Sequence, residues 1–220
     1  MHQIIVAGGC FWGVQHFFEQ FPVLKTTVGY VNGSSERTTY REVCDGSGHA
    51  EAVRIEYPDS IRLPQLLAAF FTIIDPTSLN RQGNDRGISY RTGIYTQTEE
   101  EARIARLMLD DLQSHYDKPI VVEVEKLRHF LTAEDEHQNY LDHHPGGYCH
   151  LPRSIMSGHR LLTMREVLEE YPSLKPLYTI ISAIPGLISH RESRKFCLFR
   201  FRTWFLSQAA IFVIETSFRT

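Results

Sequence analysis

Apolar and polar positions along this chain alternate between two rhythms, one of period two and one near 3.6. Ile4-Ile5-Val6-Ala7 is a continuous apolar run and predicts a short buried strand. Behind it Val14, Phe17, Phe18 and Phe21 recur at helical spacing, so a helix is expected from near Cys10 to just before Pro22. Thr26–Tyr30 is a β-branched strand candidate, and Asn32-Gly33-Ser34-Ser35 reads as a turn. From His49 to Tyr57 the period is two, which puts His49, Glu51, Val53, Ile55 and Tyr57 on one face. Glu51 is therefore a carboxylate on an apolar face.

Further on, Pro64 opens a helix bearing Leu66, Leu67, Phe70, Phe71 and Ile74 that stops at Asp75-Pro76. A polar loop, residues 81–87, leads into a strand expected at Ser89–Tyr95. Thr98 with Glu101 has the form of a capping box, for a helix through about His115. Ile120–Val124 reads as a strand, Thr132 as the cap of a short helix through Tyr140, and Pro145–Cys149 as flexible. This alternation predicts one α/β or α+β domain over residues 1–152, with helices packed on a sheet. Residues 153–220 read as an extension of a different character. Met164–Tyr171 and Leu177–Ile184 are helix candidates there, split by Pro172, Pro176 and Pro185-Gly186, and Phe196–Phe218 has no clean period.

Charge narrows the partners. The 220 residues carry a formal net charge of −3, but residues 153–220 hold ten Lys/Arg against five Asp/Glu. The acidic body argues against nucleic acid, whose phosphates call for clustered positive charge. No basic n-region with a long apolar run opens the chain, so no secretory signal is read. Phe196–Ile214 is broken by Arg200, Arg202, Ser207 and Gln208 and makes a poor membrane span. Four cysteines, Cys10, Cys44, Cys149 and Cys197, show no close pairing, so a cytoplasmic protein with reduced thiols is expected.

In that setting a cysteine matters by its chemistry. Cys10 stands between Gly8-Gly9 and Phe11-Trp12-Gly13, where a strand hands over to a helix. Free N–H groups of a first helical turn favour a thiolate, and two aromatic rings suit a thioether. Locally, a buried inert cysteine among core aromatics fits as well. Desolvation of Glu51 raises its pKa and leaves it protonated as a general acid. Asp85, Tyr40 and Tyr90 add hydrogen-bonding groups nearby in sequence. His143, His144, His150 and His49 lack metal-ligand spacing, so no metal is expected.

Four motifs in order are similar to peptide methionine sulfoxide reductase of the A type. They are Gly-Cys-Phe-Trp-Gly at 9–13, Gly-His-Ala-Glu at 48–51, Arg-Gln-Gly-Asn-Asp at 81–85 with Tyr90-Arg91, and Glu136 to Leu141. The resemblance covers roughly residues 3–150 and implies a core related to the ferredoxin-like two-layer sandwich, without metal or organic cofactor. It implies reduction of the S epimer of methionine sulfoxide, free or in oxidised proteins, by a monomer with a thioredoxin-like reductant. Carried over by motif, Cys10 is the nucleophile and Glu51 the proton donor, with Tyr40 and Tyr90 as its companions. Phe11 and Trp12 wall the substrate methyl, Asp85 and Tyr140 help hold the substrate, and Cys149 is the resolving cysteine. The link from Cys44 to Gly48 is short for the family, and the glycine-rich tail with a second recycling cysteine is missing. A rival expectation is a non-catalytic module that binds methionine or its sulfoxide, with the tail engaging a partner.

Overall fold

The computed structural model describes residues 2–152, 155 and 158–182. Cys197, the segment 196–218 and the last two positions of the 177–184 helix candidate lie outside the described residues. Two compact units are present, Met1–Lys175 and Pro176–Thr220.

The first unit is built on strand β1 (His2–Gly8). It pairs antiparallel with β3 (Ala50–Tyr57) on one side and β6 (Thr92–Thr96) on the other. Beyond β3 lie β2 (Lys25–Val31) and then β8 (Phe130–Thr132), both antiparallel. Beyond β6 lies β7 (Glu123–Lys126), the one parallel neighbour of this six-stranded sheet. The register stacks Ile4, Val6, Val28, Val53, Ile55 and Ile94 on one face. Helices α1 (Phe11–Phe18), α3 (Leu63–Phe71) and α4 (Glu99–Gln113) pack against the sheet. Ile5, Ala7, Val31, Ala50, Ala52 and Tyr95 form the opposite cluster, covered by Leu127 and Phe130. Central strands are thus buried on both sides, which explains why β1 reads as an unbroken apolar run. The fold is the mixed α/β arrangement that the alternation predicts.

Local expectations need correction in several places. Ser89 and Tyr90 lie in a 3-10 turn, Ile88–Tyr90, and the strand starts only at Thr92. Arg91 holds that turn, donating to the Ile88 and Gly48 carbonyls at 3.0 and 3.1 Å. The 81–87 loop contains a small hairpin, β4 (Arg81–Gln82) and β5 (Asp85–Arg86). The strand expected at 120–124 is β7, at 123–126. Thr132 caps no helix, because it ends β8. A 3-10 turn at Asp135–His137 and the short helix α5 (Tyr140–His143) follow it. Thr39 and Glu42 form a capping box for α2 (Tyr40–Cys44), an element too short for periodicity to reveal.

Past residue 152, the described residues up to Lys175 belong to the first unit. Helix α6 (Met164–Glu170) packs on α3, and Val167, Tyr171 and Leu174 are buried. Ser173 donates its N–H and hydroxyl to Asp111 at 2.9 and 2.7 Å. Pro176, read as a break, stands in the first turn of α7 (Lys175–Ser182), where its missing N–H costs nothing. Among the described residues no helix is long and apolar enough to cross a membrane.

Candidate active site

Strand β1 gives way to α1 through Gly9, whose φ of +87° suits glycine. A Cβ there would also meet the Gln82 side chain at 2.6 Å, so the β4–β5 hairpin presses directly on this turn. Cys10 is the N-cap of α1 and is 6% exposed. The Trp12 N–H donates to its sulfur, as a first helical turn allows. That donor is outweighed. Burial first, then the Glu51 carboxylate, hold the Cys10 thiol well above its ordinary pKa. Burial thus works against the thiolate that the helix terminus favours.

Glu51 lies on β3 opposite Tyr30 and is 2% exposed. Its Oε2 accepts the Phe11 N–H at 3.1 Å, so the first free donor of α1 is spent on this carboxyl. Burial raises its pKa to about 8, against the lowering effect of that bond, with Asp85 adding to the rise. Glu51 is thus a protonated acid at neutral pH. Tyr40 and Tyr90 are half-buried, and burial followed by the Glu51 charge keeps both phenols protonated. Both lie close enough to feel the Glu51 charge, while the hydrogen bond that Glu51 accepts comes from Phe11. Tyr40 is placed from both sides: its ring lies 4.5 Å from His137, and its N–H donates to Glu134.

Aromatic rings line the approach. Phe11 packs against Trp12, Tyr30 and His137 at 6.3, 5.9 and 5.5 Å. Trp12 stacks face to face on Tyr140 at 3.9 Å. The segment bearing Tyr140 is tied down by its neighbours. The Gln138 side chain bonds the Val28 N–H and carbonyl like one more strand residue, and Asn139 exchanges two bonds with buried Gln15.

Asp85, on β5, accepts the Tyr148 hydroxyl at 2.8 Å through Oδ1. Its Oδ2 is buried with no hydrogen-bond partner among the described residues. Cys149 is half-buried with its thiol free, and packs over the first turn of α1 against Gly13. It also lines a groove with Asp142, Pro145, Gly147 and Leu151. All nine sequence-nominated residues thus gather around one turn of helix. Cys44, exposed at the end of α2, is a hydrogen-bond partner of the Tyr40 hydroxyl.

Three neighbours are given no part in the site by the sequence. Tyr148 holds Asp85, and His137 fills the space between Phe11, Trp12 and Tyr40. His150 bonds the Gly8 carbonyl at 3.1 Å. A His150 ring nitrogen, Cys10 Sγ and an Asp85 oxygen lie within 4.8 Å of one another. Its only sequence signal is adjacency to Cys149. Among the described residues the convergent groups, this one and His16-Glu19-Asp142, offer three donor atoms each, fewer than a closed zinc site uses.

A buried thiol, a protonated carboxyl and a second thiol over one aromatic-walled turn suit two-electron sulfur chemistry. Comparison with known proteins agrees. The family model for peptide methionine sulfoxide reductase matches residues 2–165. The peptide methionine sulfoxide reductase MsrA of Clostridium acetobutylicum is 48% identical over 162 residues, covering 72% of this chain and all of its own. Its counterpart from Lachnoclostridium phytofermentans is 51% identical over 151 residues, covering 67% of this chain and 91% of its own. Among solved structures, reduced Mxr1 from Saccharomyces cerevisiae superposes with a TM-score of 0.65 at 32% identity, covering 74% of this chain and 92% of that one.

Proposed function

Because the chain belongs to the peptide methionine sulfoxide reductase family, we propose that it reduces methionine (S)-sulfoxide, free or in oxidised proteins, through Cys10. The observation that carries this reading is the Glu51 carboxyl, set against the Phe11 N–H at 3.1 Å beside the buried thiol, with a pKa of about 8. A protonated carboxyl at neutral pH has a proton to give to the sulfoxide oxygen, and giving it makes the sulfur electrophilic.

The Cys10 sulfur attacks as the proton arrives, oxygen passes to Cys10, and methionine leaves. Cys10 becomes a sulfenic acid, and its own thiol proton restores Glu51. Phe11 and Trp12, stacked on Tyr140, wall the methyl group and keep water from the reacting atoms. Asp85, with one oxygen held by Tyr148, offers the other to the substrate. Tyr40 and Tyr90 donate toward the oxygen as it gains charge. Cys149 then attacks Cys10, expelling water and leaving a disulfide. A thioredoxin-like dithiol in a reducing compartment such as the cytoplasm reopens it by exchange, entering along the groove that Cys149 lines.

Methionine release by the reduced protein tests the scheme. Cys10→Ser abolishes turnover of the S epimer, and a variant with wild-type activity would remove Cys10 from its role. Cys149→Ser still releases one equivalent of methionine but does not turn over with thioredoxin. Unchanged thioredoxin-driven turnover would take Cys149 out of the scheme.

A further inference from the structure

His150 follows Cys149 directly, yet the steps above give it no task. Its Nε2 lies 3.1 Å from the Gly8 carbonyl, which only accepts, so Nε2 carries the proton and Nδ1 the lone pair. Gly8 ends β1 and pairs with Thr92 in the sheet, so the ring hangs from a rigid support. Nδ1 is buried and has no hydrogen-bond partner among the described residues. That free acceptor has both thiols in its neighbourhood. His150 Nδ1 and Cys149 Sγ lie 3.3 and 3.0 Å from one and the same point, where Gly13 would carry a Cβ. A ring nitrogen is also within 4.8 Å of Cys10 Sγ and of an Asp85 oxygen. The neutral imidazole therefore lies near both sulfurs, the one that must lose a proton and the one it must attack.

Resting on the reductase reading, we propose that His150 is the general base of disulfide formation. Cys149 gives its proton to Nδ1 as its sulfur bonds to the Cys10 sulfur. The Cys10 S–O bond breaks, and the departing hydroxide takes the proton from Nδ1 and leaves as water. Cys149 is oxidised and the sulfenic sulfur reduced, so no outside reductant enters. The need is plain, because Cys149 is itself held above its ordinary pKa by burial and little of it is thiolate at neutral pH. His150 is held below its ordinary value, first by burial and against the opposing pull of Asp85, so it is free to accept. The groups near it are Asp85 from β5, Cys10 from the N-terminus of α1, Gln82 from β4 and Cys149 from its own segment, with Tyr148 bonded to Asp85.

The test is a single turnover of the reduced full-length protein with methionine (S)-sulfoxide and no reductant. Methionine release and loss of free thiols are read separately across pH. In the wild type, thiol loss is fast at neutral pH and falls only in acid, where His150 becomes protonated. In His150→Gln, thiol loss slows about 100-fold relative to methionine release, and sulfenic acid accumulates for trapping by dimedone. Its rate now climbs into the alkaline range with the Cys149 thiolate. His150→Ala behaves alike, and added imidazole restores its rate at neutral pH. Unchanged thiol loss in both variants would overturn the proposal, and so would slower loss with the wild-type pH profile. A wild type that releases no methionine would overturn the reductase reading and this role with it. Normal release with unaltered thiol loss in the variants would overturn this role alone.

Discussion

Burying Glu51 has a cost in folding as well as a use in chemistry. Its pKa is about 8 in the folded chain, against an ordinary value near 4.5. A carboxyl shifted upward favours the fold in its protonated form, so its contribution is full below about pH 4.5. That contribution is lost as pH rises through 8. Glu51→Gln removes the titration. In urea unfolding, the stability of this variant relative to wild type is expected to rise between pH 5 and pH 8 by several kcal/mol and then level off. The same substitution lowers methionine release by about two to four orders of magnitude. In the wild type, release is expected to decline above about pH 8, as the acid loses its proton. Cys10 follows a related logic. Its helix-terminus donor was visible from the sequence, but the depth of burial that cancels it depends on residues from β3 and the β4–β5 hairpin.

Elements divide by how local their causes are. The helix α4 was legible because Thr98, Glu101 and its apolar stripe all lie within one segment, and the capping box is present as read. Strand β3 and its buried Glu51 were legible for the same reason, since a period of two needs only its own residues. Strand β8 was not, because Phe130–Thr132 becomes a strand only by pairing with Val31, Tyr30 and Gly29, a hundred residues earlier. Likewise nothing local shows that Gln138 completes the edge of β2, or that Asn139 takes a left-handed φ of +52° to clasp Gln15. The site residues could be picked out by type and motif. His150 and Tyr148 could not, because their roles exist only once the chain after Pro145 lies over α1. The Gln15–Asn139 clasp carries a prediction of its own. Gln15→Ala leaves the Asn139 N–H unpartnered, at a cost of about 1–3 kcal/mol in urea unfolding. It also frees the ring pair of Trp12 and Tyr140, so KM is expected to rise more than kcat falls.

At the scale of the molecule, the first compact unit runs on to Lys175, and the family match to residue 165. The residues between Gly158 and Lys175 seal the outer side of α3 with Val167, Tyr171 and Leu174 and lock onto Asp111. A chain ended after Pro152 uncovers Phe71 and its neighbours, whereas one ended after Lys175 keeps them covered. The shorter chain is expected to melt several degrees below the longer in a thermal scan. Leu174→Ala in the full chain costs about 2–5 kcal/mol by leaving a cavity at the same seam.

The stacked Trp12–Tyr140 pair, the carboxyl under the helix end and the thiol beside it are, under the proposed scheme, three unlike neighbours for a sulfoxide sulfur. Such a sulfur is pyramidal and carries four unlike substituents, its lone pair included. Reflect it while keeping oxygen at Glu51, and the methyl group trades places with the long chain. Under the proposed scheme the ring wall takes the methyl group and excludes that chain. Handedness is thus decided at sulfur alone, without reference to the amino-acid α-carbon. A racemic alkyl methyl sulfoxide that lacks an amino-acid group is expected to be consumed in one enantiomer only. Chiral chromatography of the remainder would show the other in excess, and equal consumption of both would sink the idea.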